Sequence, residues 1–396
     1  MKKPLITILS FILFTSLFAC KSKFNAFKEI KKAEHQTLLM LQEIEKAKKQ
    51  SKVGIQLVSP RSLDEGNLIL VASKDWTSGF FPGELWYLYQ LTNKEKWKQE
   101  AMLFTKLIEQ EKYNGKTHDM GFKIYNSFGT GFKSINDQDY KEVIIQSAKT
   151  LSTRFNSKVG AIRSWDHNSD KWDFPVIIDN MMNLELLFEA TILTGDSSFY
   201  KIAVAHANTT MKHHFRENYS TWHVIDYNPE NGEVEHKQTH QGLSDESSWA
   251  RGQAWALYGY TMCYRYTKNK AYLKQAENVA KFIFSHKNMP EDLIPYWDFD
   301  ALNIPDEPRD VSAATVIASA LYELSAYSDN KAAYLSKYNT ILTNVAKRYT
   351  SELGKNKGFI LDHSTGSKPV NSEVNVPLSY ADYYYLEAMS RGFKRK

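Results

Sequence analysis

The chain has 396 residues and a formal net charge of +5, with 24% charged, 42% hydrophobic and 13% aromatic residues. Its 18 glycines and 11 prolines are few for this length, which excludes a collagen-like or low-complexity chain and argues against a turn-rich all-β sandwich. The charge is small and diffuse, with no basic stripe, zinc-finger spacing or recognisable nucleic-acid module, so no nucleic-acid partner is expected.

In chain order, the first segment reads as a leader. Lys2 and Lys3 precede an apolar run from Leu5 to Phe18, too short for a comfortable membrane span and patterned like a secretory signal. The run ends in Leu17-Phe18-Ala19-Cys20, which resembles a bacterial lipobox and implies cleavage after residue 19 with lipid on Cys20. An ordinary signal peptide with an incidental cysteine is the competing reading. Cleavage takes two lysines and no acid, lowering the net charge from +5 to +3. The expectation is a single domain over residues 20–396, lipid-anchored in a bacterial cell envelope, in the periplasm or at the outer membrane. Cys263 is then unpaired, and its apolar helical setting reads as a buried, inert thiol.

Apolar residues recur at helical spacing in about twelve segments: 24–51, 82–91, 94–110, 118–128, 138–154, 180–193, 197–215, 248–266, 270–285, 310–327, 331–350 and 378–391. Short polar turns such as Thr92-Asn93-Lys94, Thr194-Gly195-Asp196, Thr267-Lys268-Asn269 and Ser328-Asp329-Asn330 largely alternate with long connections over 52–81, 155–179, 216–247, 286–309 and 351–377. In an up-and-down helical array this alternation gathers the long loops at one end. Six helix pairs closed into a ring make an (α/α)6 barrel; an open solenoid is the rival closure, and spacing alone leaves both open.

The unusual residues lie in the long connections, where function concentrates. Six of the nine tryptophans (Trp76, Trp165, Trp222, Trp249, Trp255 and Trp297) fall in or beside them. Indoles that stack on sugar faces, together with Asp, Gln and Arg that meet hydroxyls and anions, are the chemistry of carbohydrate binding; ordinary packing explains any single one of them equally well. Asp119 and Asp179 each sit in apolar surroundings at a helix start. One reading makes each an N-cap. The other makes them a pair in which an apolar pocket and a like charge keep one carboxyl protonated for acid catalysis. His206, His213, His214, His236 and His240 match no metal-site spacing, so no catalytic metal or other cofactor is expected.

These motifs together resemble a known family. Asp75-Trp76-Thr77-Ser78-Gly79-Phe80-Phe81-Pro82-Gly83, His118-Asp119-Met120-Gly121-Phe122, Phe174-Pro175-Val176-Ile177-Ile178-Asp179-Asn180, Thr239-His240-Gln241-Gly242, Trp249-Ala250-Arg251-Gly252-Gln253-Ala254-Trp255 and the closing Pro377–Ala388 stretch resemble glycoside hydrolase family 88, the unsaturated glucuronyl hydrolases, from about residue 70 to 392. The resemblance implies an all-α (α/α)6 barrel. It implies removal of a 4,5-unsaturated uronic acid from the non-reducing end of lyase-generated oligosaccharides, in glycosaminoglycan or ulvan-like degradation, by hydration of the C4=C5 vinyl ether. On this basis Asp179 is the general acid/base and Asp119 the second essential carboxylate. Trp76, Trp165, His223, Thr239, Gln241, Arg251 and Trp255 are expected to bind substrate. The alternatives are a family 105-type unsaturated rhamnogalacturonyl hydrolase and a non-catalytic glycan-binding lipoprotein.

Overall fold

The computed structural model describes residues 24–50 and 54–393. The leader and Cys20 lie outside these residues. Within them run α1 (Ala26–Gln50), α2 (Phe80–Thr92), α3 (Glu95–Lys106), α4 (Thr130–Ile135), α5 (Gln138–Ser152), α6 (Leu184–Thr194), α7 (Ser197–His213), α8 (Ala250–Thr267), α9 (Lys270–Ser285), α10 (Val311–Leu324), α11 (Lys331–Arg348) and α12 (Ser379–Gly392). Each helical segment expected from periodicity has its counterpart.

The even-numbered helices form the inner ring. Neighbours pack as α2, α4, α6, α8, α10 and α12, the segment before α4 mediating contact on both sides, and α12 returns to pack on α2. That last contact makes the array a closed (α/α)6 barrel and excludes the solenoid. Position in the ring explains composition. Inner α10 (VSAATVIASALYEL) is buried on nearly every side, whereas outer α11 buries only Tyr334, Tyr338, Ile341, Leu342 and Val345 along one stripe.

The short turns all lie where inner helices end, and their chemistry is local. Asn93, Gly195 and Lys268 adopt left-handed backbone conformations, and their amides close back on Tyr89, Thr191 and Tyr264. Asp196 and Asn269 then cap α7 and α9 by accepting the Ser198 and Ala271 amides. The five long connections lie at the opposite end, before α2, α6, α8, α10 and α12, and four of them contain strands that helical periodicity does not reveal. These are the hairpin of β1 (Leu57–Asp64) and β2 (Asn67–Ala72), the small pair β3 (Phe155–Asn156) and β4 (Ala161–Ile162), the sheet β5 (Pro175–Ile177), β6 (Val224–Tyr227) and β7 (Val234–Gln238), and the hairpin β8 (Ser364–Ser367) and β9 (Ser372–Val376).

Two inner staves begin irregularly. Gly121–Gly129 is wound wide, with π-type turns, before α4, and Ile178–Asn183 is wound tightly before α6. Wide turns are uncommon and concentrate at functional sites. Gly79 permits this one: a Cβ there would lie 2.1 Å from the Lys123 carbonyl oxygen. These two staves carry Asp119 and Asp179.

Candidate active site

The starts of the α4, α6, α8 and α12 staves, with Trp76 just ahead of α2, line one pocket of about 340 Å³, into which the β1–β2 and β8–β9 hairpins also reach. Asp119, Asp179, Trp76, Trp165, Gln241 and Arg251 line it. The sequence therefore placed six of its nine expected catalytic and binding residues directly on the cavity wall.

Neither aspartate caps its own helix. Asp119 accepts from the Thr117 hydroxyl at 2.6 Å, and the His118 Nε2 lies 3.2 Å from its other oxygen. Burial keeps His118 neutral. Asp179 is buried, and its Oδ2 has no hydrogen-bond partner within the protein. Burial raises its carboxyl to about 7; Asp119 adds to the rise, while Arg251, Asp179's own backbone and the Trp255 indole oppose it. A carboxyl held near neutrality, with an oxygen free to exchange a proton, can serve first as acid and then as base.

His223 and Trp255 stand behind the pocket wall. The His223 Nδ1 accepts the His240 and Gln241 amides at 3.1 and 3.2 Å, which leaves the proton on Nε2. That nitrogen faces Asp179 Oδ2 at 3.6 Å, beyond hydrogen-bond length in this state. Burial, with His240 and Arg251 nearby, holds the ring neutral. Trp255 is fully buried and packs against Phe122 and Tyr384.

Two expected contacts have a different geometry. Thr239 is not on the pocket wall. Its hydroxyl accepts the Gly242 amide at 2.8 Å and closes the turn that presents His240 and Gln241. Arg251 reaches the wall, but its terminal nitrogens are already engaged, Nη1 by Asp310 at 2.8 Å and by the Thr365 carbonyl, Nη2 by the Gly366 carbonyl at 2.7 Å. Its charge acts on the pocket while its donors hold the β8–β9 hairpin, which Gln241 also grips through Gly366 at 3.1 Å. Arg251 also lies against the Trp249 ring, which in turn packs on His223. Trp222 is sandwiched by Arg216 and Lys237, and Trp297 donates to Glu307, so these three tryptophans are packing residues away from the pocket wall.

Other histidines serve the scaffold. His206 accepts the Ile162 amide and His214 bonds the Val176 carbonyl; burial drives both to about 3, so they stay neutral. Burial likewise pushes the free Cys263 thiol far up, as expected of an inert core cysteine.

Arg61 was invisible in the sequence. It projects from β1 into the pocket and grips Glu373 of β9 with two nitrogens at 2.6 and 3.0 Å, and Asp75 with a third at 2.9 Å. No local pattern marks a pair 312 residues apart. Tyr380, at the start of α12, also lines the pocket, and its place inside the closing motif was the available signal.

Comparison with known proteins agrees with this geometry. The Glycosyl Hydrolase Family 88 profile matches residues 60–386. An unsaturated glucuronyl hydrolase of Formosa agariphila is 54% identical over 84% of this chain and 84% of its own length. An unsaturated chondroitin disaccharide hydrolase of Streptococcus agalactiae is 31% identical over 89% of this chain and 90% of its own. The crystal structure of an unsaturated glucuronyl hydrolase specific for heparin superposes with a TM-score of 0.87 at 43% identity, covering 93% of this chain and 97% of that one. With the profile spanning most of the sequence and close relatives matching over most of their lengths, the chain belongs to glycosyl hydrolase family 88.

Proposed function

We propose that the pocket removes a 4,5-unsaturated uronic acid from the non-reducing end of oligosaccharides by adding water across C4=C5. The activity is that of an unsaturated glucuronyl hydrolase. The observation that carries the mechanism is Asp179, buried beside Asp119 with its carboxyl raised to about 7. Its protonated form donates to C4, and the ring oxygen supports the positive charge that develops at C5. Water adds at C5 and returns its proton to Asp179. The resulting hemiketal opens to the 5-keto form, and collapse at C1 releases the remaining sugar, with one water consumed overall. Because no displacement occurs at the anomeric carbon, carboxylate spacing carries no retaining-or-inverting meaning here.

Trp76 and Trp165 serve as walls for the sugar, Gln241 offers an amide to a hydroxyl, and the neutral His223 holds its N–H toward the acid. The positive charge of Arg251, at the start of α8 on the pocket wall, makes the pocket attractive to a uronate carboxylate. Neither alternative is favoured. The matched relatives are family 88 hydrolases, and a binding-only pocket has no use for a carboxyl poised near neutrality.

The test is to treat a panel of lyase products with the protein and follow the ultraviolet band of the conjugated double bond. Loss of the band with release of the reducing-side sugar is expected. Cleavage of saturated substrates with the band intact would overturn hydration, and binding without turnover would support the lectin-like reading. The panel also ranks glycosaminoglycan against ulvan-like fragments.

The leader supports a further reading, lipid attachment at Cys20 and residence in the cell envelope. No helix among the described residues is long and apolar enough to cross a membrane. Cys20→Ser should release the protein from the membrane fraction and abolish labelling by a fatty-acid analogue.

A further inference from the structure

Asn183 lies on the Asp179 stave and is fully buried. Its Oδ1 accepts two backbone N–H groups of the other carboxylate-bearing stave, Gly121 at 2.8 Å and Phe122 at 3.2 Å. These amides open the wide helix that follows Asp119. Helix-opening amides are ordinarily satisfied by a side chain just upstream. Asp119 does not do this, because its carboxylate is turned to Thr117 and His118. The cap comes instead from 62 residues later in the chain.

The same point is a steric interlock. A Cβ on Gly121 would lie 2.6 Å from the Asn183 Cα and 2.8 Å from its Oδ1, so the two backbones meet at a separation only glycine allows. The two staves are therefore pinned together about one helical turn from the aspartates they carry.

We propose that Asn183 is a positioning residue, whose double acceptance from Gly121 and Phe122 sets the spacing between the Asp119 and Asp179 carboxyl groups. The proposal rests on the acid/base reading of Asp179 given above. Asn183 is not on the pocket wall and reaches the reaction only through the segment it holds.

The groups that face Asp179 allow the effect to be read. His118 and Asp119 come from the wide stave, His223 from the segment entering β6, Arg251 from α8 with its partner Asp310 at the N-cap of α10, and Tyr380 from α12. Across the pocket stand His240 and the Arg61–Glu373 pair. Among all of these, only His118 and Asp119 belong to the stave that Asn183 caps. Loosening that stave moves Asp119 away and weakens a repulsion that helps keep the proton on Asp179.

Two substitutions separate positioning from simple packing. Asn183→Ala removes both acceptances. It should lower kcat by about tenfold or more with a smaller change in KM, and move the alkaline limb of the kcat–pH profile down by about half a unit. Asn183→Asp keeps an acceptor for both amides, and it sacrifices no hydrogen bond because the Asn183 Nδ2 has no partner in the protein. It should recover most of the kcat lost in Asn183→Ala and, by adding negative charge behind Asp119, move the limb up by a similar amount. Limbs displaced in opposite directions support the proposal. Variants that lose thermal stability while keeping the wild-type limb overturn it, as does Asn183→Asp being as impaired as Asn183→Ala. If Asn183→Ala does not fold, Asn183→Ser, too short to accept from both amides, takes its place: a lowered kcat with a lowered limb supports the proposal, and a wild-type limb overturns it. Asp179→Asn is assayed in parallel, because retained turnover there would sink the acid/base reading itself and this proposal with it.

Discussion

Asp179 and Glu185 occupy the same inner stave, yet the two ends of the barrel drive them in opposite directions. At the pocket end, burial raises Asp179 to about 7. At the far end, burial would also raise Glu185, but Arg265, Lys133 and Arg391 overturn it and hold the carboxyl down to about 2. The far end encloses a cavity of about 430 Å³ rich in the same residue types, with tyrosines, carboxylates and guanidinium groups. There the charges neutralise one another. Glu387 accepts from Tyr87 at 3.0 Å, Tyr258 at 2.9 Å and Ser319 at 2.5 Å, and Arg391 bridges Glu387 and Glu323. Arg265 bridges Glu185 at 2.9 Å and Glu323 at 3.2 Å. Composition alone thus does not make a site. A reactive carboxyl needs a partner withheld, and at the pocket end Asp179 Oδ2 has none.

This contrast is most directly broken by Asp179→Asn, which should cut turnover by a factor on the order of 10²–10⁴ with the fold intact. The wild-type kcat should fall on the alkaline side of about pH 7 as the acid loses its proton. At the far end, Arg391→Ala should leave Glu387 and Glu323 buried without their shared cation, costing about 3–5 kcal/mol in denaturant unfolding while the folded fraction keeps the wild-type pH–rate profile. A shifted profile would mean that the far end tunes the chemistry.

Asp179→Asn should also stabilise the chain, opposite in sign to Arg391→Ala. The folded state keeps the Asp179 proton to about pH 7, whereas the unfolded chain releases it near 3.8, so stability falls as pH rises through that window. The variant lacks this loss. Its advantage should be absent below pH 4 and grow to at most about 4 kcal/mol above pH 8, read as a pH-dependent gap in Tm. The smallest effect is expected for Thr239→Val, which removes one turn hydrogen bond worth about 1 kcal/mol and should raise KM several-fold with kcat largely preserved. A collapse of kcat there would mean that Thr239 touches substrate directly.

Much of this architecture was legible because helices and turns are local. Residues such as Asn93, Gly195 and Asp196 announce their turns whatever surrounds them, and the loop alternation followed. Strands β7, β8 and β9 were hidden because they are short and mostly polar: β7 reads Val-Glu-His-Lys-Gln, with three exposed central residues. Ring closure and Arg61 depend on residues about 300 positions apart, and the far-end network largely on pairs from 52 to 300 apart, which no periodicity encodes. Glu185, Arg265, Glu323 and Arg391 read as ordinary solvated helix residues until the barrel folds them against one another. Asn183 was hidden differently, as a polar residue in an apolar run whose partner is another segment's backbone.

The seam between α2 and α12 bears on how the chain reaches this state. Tyr87 and Glu387, which bond across it, are 300 residues apart. During synthesis the side of α2 that meets α12 therefore stays uncovered until almost the whole chain has emerged. Contacts of such high sequence separation slow folding and lengthen the exposure of aggregation-prone surface. Pairs such as α2 with α3 and α8 with α9, joined by short turns, can form early as hairpins. Only the final helix converts a row of hairpins into a barrel, so a chain cut before Ser379 would lose the seam and Tyr380 together, and an incomplete product would be inactive as well as unstable.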